Sequence, residues 1–236
     1  MHPAQRVDYG PHSDQYAELS LPAGEPRGTV AIVHGGFWKP RYDCALGRPL
    51  ADDLAARGWA AWNVEYRRGV GAAATCADVA AALAALGGHA AAHGLPLRPV
   101  VGLGHSAGGH LATWAAAQPG SPLTHVVAQA GVLDLGAAHR AHLGDGAVEA
   151  FLGHPPGPAD AAYDPTAQLP LAVPVRCVHG RADDVVPLTQ SERYVARAGA
   201  AGGDARLVVV EGGHMDLVDP ASPAWARTLA VLDGLA

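Results

Sequence analysis

Apolar residues in this chain fall into short runs, separated by longer stretches where they return every three or four positions. The runs lie at 30–33, 60–66, 100–103, 126–130, 175–178 and 207–210. Most are continuously apolar rather than alternating, as parallel strands covered on both faces are. Between them, Leu46, Leu50 and Leu54 make one helical stripe, stopped by Gly58. Val79, Leu83 and Leu86 make a second, with Thr75 placed as N-cap and Asp78 in the first turn. Trp225, Leu229 and Leu232 repeat the pattern after Pro223. Strand runs alternating with helical stripes predict right-handed crossovers and an α/β fold: a doubly wound, mostly parallel sheet with helices on both faces. An antiparallel hairpin at the N-terminal end, with residues 16–21 pairing near 30–33, completes it.

One stretch departs from this rhythm. Residues 135–170 are rich in Gly, Pro, Ala and His, and include His154-Pro155-Pro156-Gly157-Pro158. They read either as a small cap or loop insertion over the strand ends, shaping a substrate pocket, or as a plain connecting excursion with one helix. There is no internal repeat and no dividing linker, so residues 1–236 are expected to form a single domain.

Composition narrows the class. The chain has 236 residues, 49% hydrophobic and 16% charged, which excludes extended disorder and leaves enough to bury a core. A formal net charge of −6 without a basic cluster excludes a nucleic-acid surface. The N-terminal residues are polar and lack a signal-peptide core, and no apolar stretch free of Gly, Pro and charge is long enough to span a bilayer. A cytoplasmic protein without membrane or nucleic-acid partners is expected. Cys44, Cys76 and Cys177 are odd in number and far apart, which argues against a disulfide framework; Cys177, inside a strand run, reads as a buried thiol. No histidine spacing resembles a metal site.

The chemistry concentrates around Gly104-His105-Ser106-Ala107-Gly108. An apolar strand run precedes it and a helical pattern from Gly109 follows. On such a strand-to-helix turn, G-x-S-x-G holds a serine hydroxyl exposed at the end of a sheet. Gly104 and Gly108 spare the tight backbone any side-chain clash. A serine hydroxyl needs a base, and the base needs an orienting acid. Asp183 follows the run 175–178, and His214 follows the run 207–210, so both fall on loops at strand C-termini. Asp134 is the competing acid, and Asp184 reads as an exposed loop charge. Asp216 and Asp219 read as structural. The loop His34-Gly35-Gly36-Phe37-Trp38 follows the first strand run and supplies oxyanion donors: the N–H groups of Gly36 and Phe37, joined by that of Ala107. Trp38 and His105 are candidate pocket residues, with packing the alternative for each. Arg140 reads as surface, and Glu65-Tyr66-Arg67-Arg68 as an internal ion-pair cluster.

These motifs, in the order Ser106, Asp183, His214, resemble the α/β-hydrolase superfamily over nearly the whole chain. The HGG loop ending in an aromatic pair, with Gly213-His214-Met215-Asp216, is most similar to the branch of kynurenine formamidases (arylformamidases) and small bacterial carboxylesterases. That resemblance implies a serine nucleophile and no metal or organic cofactor. The expected activity is hydrolysis of small carboxylic esters or an N-formyl aryl amide through an acyl-enzyme. A biosynthetic acyl-transfer or cyclisation enzyme with the same triad is the alternative, as is a non-catalytic binding protein on this fold. The expected partner is a small-molecule ester or amide, and a homodimer is the one assembly left open.

Overall fold

The structure, a computed structural model, describes residues 4–235. Its strands are β1 (Gln5–Asp8), β2 (Tyr16–Ser20), β3 (Thr29–Val33), β4 (Ala60–Val64), β5 (Val100–His105), β6 (His125–Gln129), β7 (Val175–Gly180) and β8 (Ala205–Val210). They form one sheet in the order β1-β2-β4-β3-β5-β6-β7-β8. Only β2 runs against its neighbours; all other adjacent pairs are parallel. Every residue of β3, β4 and β5 is buried, which is why their sequences do not alternate.

Helices cover both faces. On one, α1 (Arg48–Ala56) and α7 (Pro223–Asp233) bring Leu50, Leu54, Trp225, Leu229 and Leu232 against Ile32, Leu103 and Val178. Each such side chain, fully buried, contributes on the order of 2 kcal/mol by leaving water. On the other face lie α2 (Ala72–His93), α3 (Ala107–Ala116) and α6 (Thr189–Ala200). Pro223 sits at the first turn of α7, and Ser222 caps it by accepting from the Trp225 N–H.

Four details differ from the sequence reading. The polar segment Gln5–Asp8 is a strand, because an edge strand needs only one inward side chain, Val7. β2 is antiparallel as expected, but its partners are β1 and β4. It cannot pair with β3, whose two edges are already taken by β4 and β5. Helix α2 starts at Ala72 with Gly71 as cap; Thr75 lies inside its first turn and donates to the Arg67 carbonyl at 2.8 Å, and Asp78 is buried against Arg67. By length and composition α2 is apolar enough to cross a membrane, yet it packs Val79, Leu83 and Leu86 into the sheet core.

Residues 135–170 hold α4 (Leu135–Arg140), α5 (Ala147–Leu152) and two short 3-10 turns, Pro158–Ala162 and Pro165–Gln168. They lie on the α3 side, where Trp114 Nε1 donates to the Ala162 carbonyl and His110 Nε2 to that of Tyr163, both at 2.8 Å.

Candidate active site

Ser106 stands between the last residue of β5 and the first of α3. Its backbone is held at φ 56°, ψ −119°, a conformation costly for any residue with a Cβ. Hydrogen bonds fix it: the Ser106 N–H donates to Gln129 O at 2.8 Å, while its carbonyl accepts from Gly109, His110 and Val132. The glycine at 108 is obligatory, because a Cβ there would overlap the Val33 carbonyl and stand 2.6 Å from His34 O.

The candidate acid and the candidate base come from neighbouring loops. Asp183 follows β7 and His214 follows β8. Their side chains meet, with His214 Nδ1 2.7 Å from Asp183 Oδ2. Since a carboxylate only accepts, Nδ1 carries the proton and Nε2 is left as the basic nitrogen. Asp183 is further held by the N–H groups of Val185 and Val186, at 2.9 and 2.8 Å on Oδ1. Buried His179 approaches Oδ2 at 3.4 Å while bonding the Val186 carbonyl. Burial alone raises a carboxyl pKa. Here the hydrogen bonds from His179, His214 and the Val186 N–H outweigh it and hold Asp183 well below the usual carboxylate range.

The competing acids sit elsewhere. Asp134 caps α4, accepts from the Ala137 N–H at 2.7 Å and pairs with Arg197. Asp184 is exposed. Asp216 takes the Gly213 N–H and Asp219 the Ala221 N–H, so both shape the His214 loop and the turn after it.

The HGG loop is strained over three successive residues: Gly36, Phe37 and Trp38 have φ of 111°, 53° and 56°. Packing supports this shape from both ends. His34 stacks on Tyr66 at 4.4 Å with its Nε2 3.2 Å from Glu65 Oε1, and Trp38 stacks on Phe151 at 4.4 Å. Lys39 Nζ reaches Gly144 O at 2.8 Å. Gly35 lets this loop close on the elbow, since a Cβ on it would lie 3.0 Å from that of Ser106. Ala107, as the first residue of α3, has no intrahelical acceptor for its N–H. Among the described residues, the Phe37 N–H also donates to nothing.

Ser106, His214 and the HGG loop surround one cavity of about 200 Å³. It extends along the α1 face of the sheet, past Ile32, Leu103 and Leu50. Leu46 and Met215, both exposed, form part of its wall. The candidate pocket residues separate here. His105 lines the cavity, whereas Trp38 is buried against Phe151 and His110 and leaves Phe37 to face it. Residues 135–170 contribute nothing to the lining. The pocket shape assigned to them comes instead from Tyr42, Leu46, Gly47 and Leu50, around the start of α1; the insertion acts through Phe37 and Trp38. Arg140 is exposed.

His105 donates from Nε2 to the His214 carbonyl at 3.0 Å and packs its ring 4.4 Å from that of His214. Burial, reinforced by the neighbouring His214, pushes its pKa down to about 3, so the ring is neutral. Sequence reasoning missed His179, Glu65 and Gln129 as parts of this site. The i, i+4 spacing of His179 and Asp183 after a strand was the available signal for the first. Among the described residues, no group of three His, Cys, Asp or Glu side chains is placed to hold a metal ion.

Comparison with known proteins gives the family and the fold. A model of the family described as BD-FAE matches residues 18–197. No curated protein sequence matches. An esterase from the planctomycete Thermogutta terrifontis is similar over 98% of this chain and 91% of its own, with 25% identity and a TM-score of 0.81. Its propionate-bound form gives 26% identity and a TM-score of 0.81, over 98% of this chain and 93% of that one. The same esterase has been solved phosphonylated by sarin and phosphorylated by paraoxon. A truncated carbohydrate esterase from gut microbiota has a TM-score of 0.82 over 98% of this chain and 94% of that one, at 20% identity, a likeness of fold alone. The fold is that of the α/β-hydrolases. The comparisons return esterases, and none of the relatives described is a formamidase.

Proposed function

The chain belongs to the BD-FAE family, and we propose that it is a serine carboxylesterase acting through Ser106, His214 and Asp183. The observation that carries this reading is the 2.7 Å bond between His214 and Asp183, bordering the cavity into which the strained elbow presents Ser106. In the proposed cycle His214 Nε2 takes the Ser106 hydroxyl proton as Oγ attacks the ester carbonyl carbon. Asp183 holds the resulting imidazolium without taking its proton. The N–H groups of Phe37, Gly36 and Ala107 receive the oxyanion, each such donor contributing a factor on the order of 10²–10³. His214 then protonates the departing alkoxide, and water releases the acyl group by the same steps.

A cavity of about 200 Å³ is below the range of drug-sized sites and favours small esters. Its walls are apolar, and it offers more space than a formyl group fills, so short acyl esters suit it better than N-formyl aryl amides. Capture of the Thermogutta esterase with organophosphates makes the same trapping the natural test here. Paraoxon should add one diethyl phosphate to Ser106, detected by peptide mass. Turnover of p-nitrophenyl butyrate should vanish in Ser106→Ala. Labelling elsewhere, or undiminished turnover in that variant, removes Ser106 as nucleophile. N-formylkynurenine in the same assay tests the amide.

A further inference from the structure

Among the described residues, sulfur occurs in Cys44, Cys76, Cys177 and Met215, and the fold exposes only the last. The three cysteines are free and at most 1% exposed. Burial pushes all three thiols up, Cys44 and Cys177 to about 12. Oxidation of a thiol runs through its thiolate, so none of them is a ready target. Met215 is 56% exposed. A thioether has no proton to lose, and its reaction with a peroxide needs access rather than a neighbouring base.

The position of Met215 gives that access a consequence. It follows His214 directly, opens the 3-10 turn Met215–Val218, and lines the cavity beside Ser106 together with Leu46, Leu50 and Leu103. His214 is held through other atoms: its Nδ1 by Asp183 at 2.7 Å and its carbonyl by His105 at 3.0 Å. The Met215 side chain can therefore change its chemistry while the hydrogen bonds of His214 stay in place. What changes is the cavity wall. A sulfoxide is polar where the thioether was apolar, and its oxygen accepts hydrogen bonds. An apolar ligand packed against that oxygen strips it of water and offers no donor in return.

We propose that Met215 is a modification site, at which oxidation by hydrogen peroxide weakens the binding of apolar esters. The proposal rests on the Ser106 esterase reading and adds a means of regulating that site. In the step, a sulfur lone pair attacks one peroxide oxygen, and the S–O bond forms as the O–O bond breaks. Sulfur is oxidised by two electrons. The hydroxide that leaves takes the proton of the transferred oxygen and departs as water. Methionine sulfoxide reductases, one for each epimer at sulfur, reverse the change.

The test treats the folded protein with dilute hydrogen peroxide and removes the excess with catalase. Peptide mass should show one added oxygen on the peptide holding Met215 and none on the three cysteines. KM for p-nitrophenyl butyrate should rise roughly fivefold, the scale of setting one polar group against an apolar ligand. The kcat should hold, because the bonds of His214 are untouched. In Met215→Leu, KM after treatment should equal that variant's own KM before it. Incubation with both reductases should return the oxidised wild type to its starting KM. No oxygen on Met215, or an oxygen there with KM unmoved, overturns the proposal while the esterase reading stands. A KM rise that Met215→Leu shares overturns it too, since the change then lies elsewhere. If the untreated protein turns over no ester, the esterase reading fails, and binding decides. Butyramide should then raise the Tm of untreated protein more than that of oxidised protein, and equal shifts overturn the proposal.

Discussion

Glu65→Gln isolates the support of the HGG loop from the chemistry it is proposed to serve. The Glu65 carboxylate is 2% exposed and gathers four donors. The N–H groups of Cys44 and Tyr66 reach it at 2.8 Å, His34 Nε2 at 3.2 Å, and Arg68 pairs with it directly. Burial raises its pKa, but these bonds, led by that from His34, outweigh burial and hold it below the ordinary value. The amide replacement offers one acceptor where two were used, turns NH₂ toward N–H donors, and strips Arg68 of its nearest counter-charge. Breaking a buried, hydrogen-bonded ion pair costs about 3 kcal/mol or more. For a domain of this size that is a loss of roughly 6–12 °C in Tm. Because the folded pKa lies below the unfolded value of about 4.3, the contribution is complete above that pH and drains as pH falls toward the folded pKa. Thermal unfolding across pH should therefore show a large gap between wild type and variant at neutral pH that narrows in acid. The kcat for p-nitrophenyl butyrate should fall while KM holds, since the displaced Phe37 N–H acts on the transition state. A Tm within about 2 °C of wild type at neutral pH, or a gap that widens in acid, refutes the argument.

Other substitutions probe the rest of the site. Asp183→Asn should lower kcat/KM for p-nitrophenyl butyrate by about three to four orders of magnitude, because His214 loses the partner that fixes its tautomer. Gly108→Ala should cost more than about 3 kcal/mol or prevent folding, its Cβ overlapping the Val33 carbonyl; circular dichroism and soluble yield report it. His105 is neutral in the folded chain, with a pKa of about 3, whereas the unfolded chain binds its proton below about 6.5. Stability must then fall as pH drops from 6.5 toward 3, and His105→Gln should flatten that part of the denaturant midpoint profile.

What the sequence made legible is what local chemistry determines. Six strand runs were visible because buried parallel strands are largely apolar rather than alternating. Ser106, Asp183 and His214 were visible because each follows such a run, at the edge where loops converge. Gln5–Asp8 was hidden because an edge strand with one buried residue carries no apolar run. The partner of β2 was misassigned for a different reason: strand adjacency depends on which edges remain open after the sheet assembles. The pocket was hidden in the same way. Residues 135–170 looked like its roof, yet the lining comes from Tyr42 to Leu50, whose placement over Ile32 and Leu103 is a tertiary event.

The strand order also sets when this chemistry becomes available. During synthesis from the N-terminus, β3 and β5 emerge with the HGG loop and Ser106 long before β7 and β8 bring Asp183 and His214. On the proposed mechanism, a growing chain therefore carries the Ser106 hydroxyl before the base that would activate it. The same arithmetic makes the β6–β7 boundary a natural seam. Severed within residues 135–170, the protein would yield one piece holding the proposed nucleophile and another holding the proposed acid and base, each expected to be silent until the two sheet edges meet.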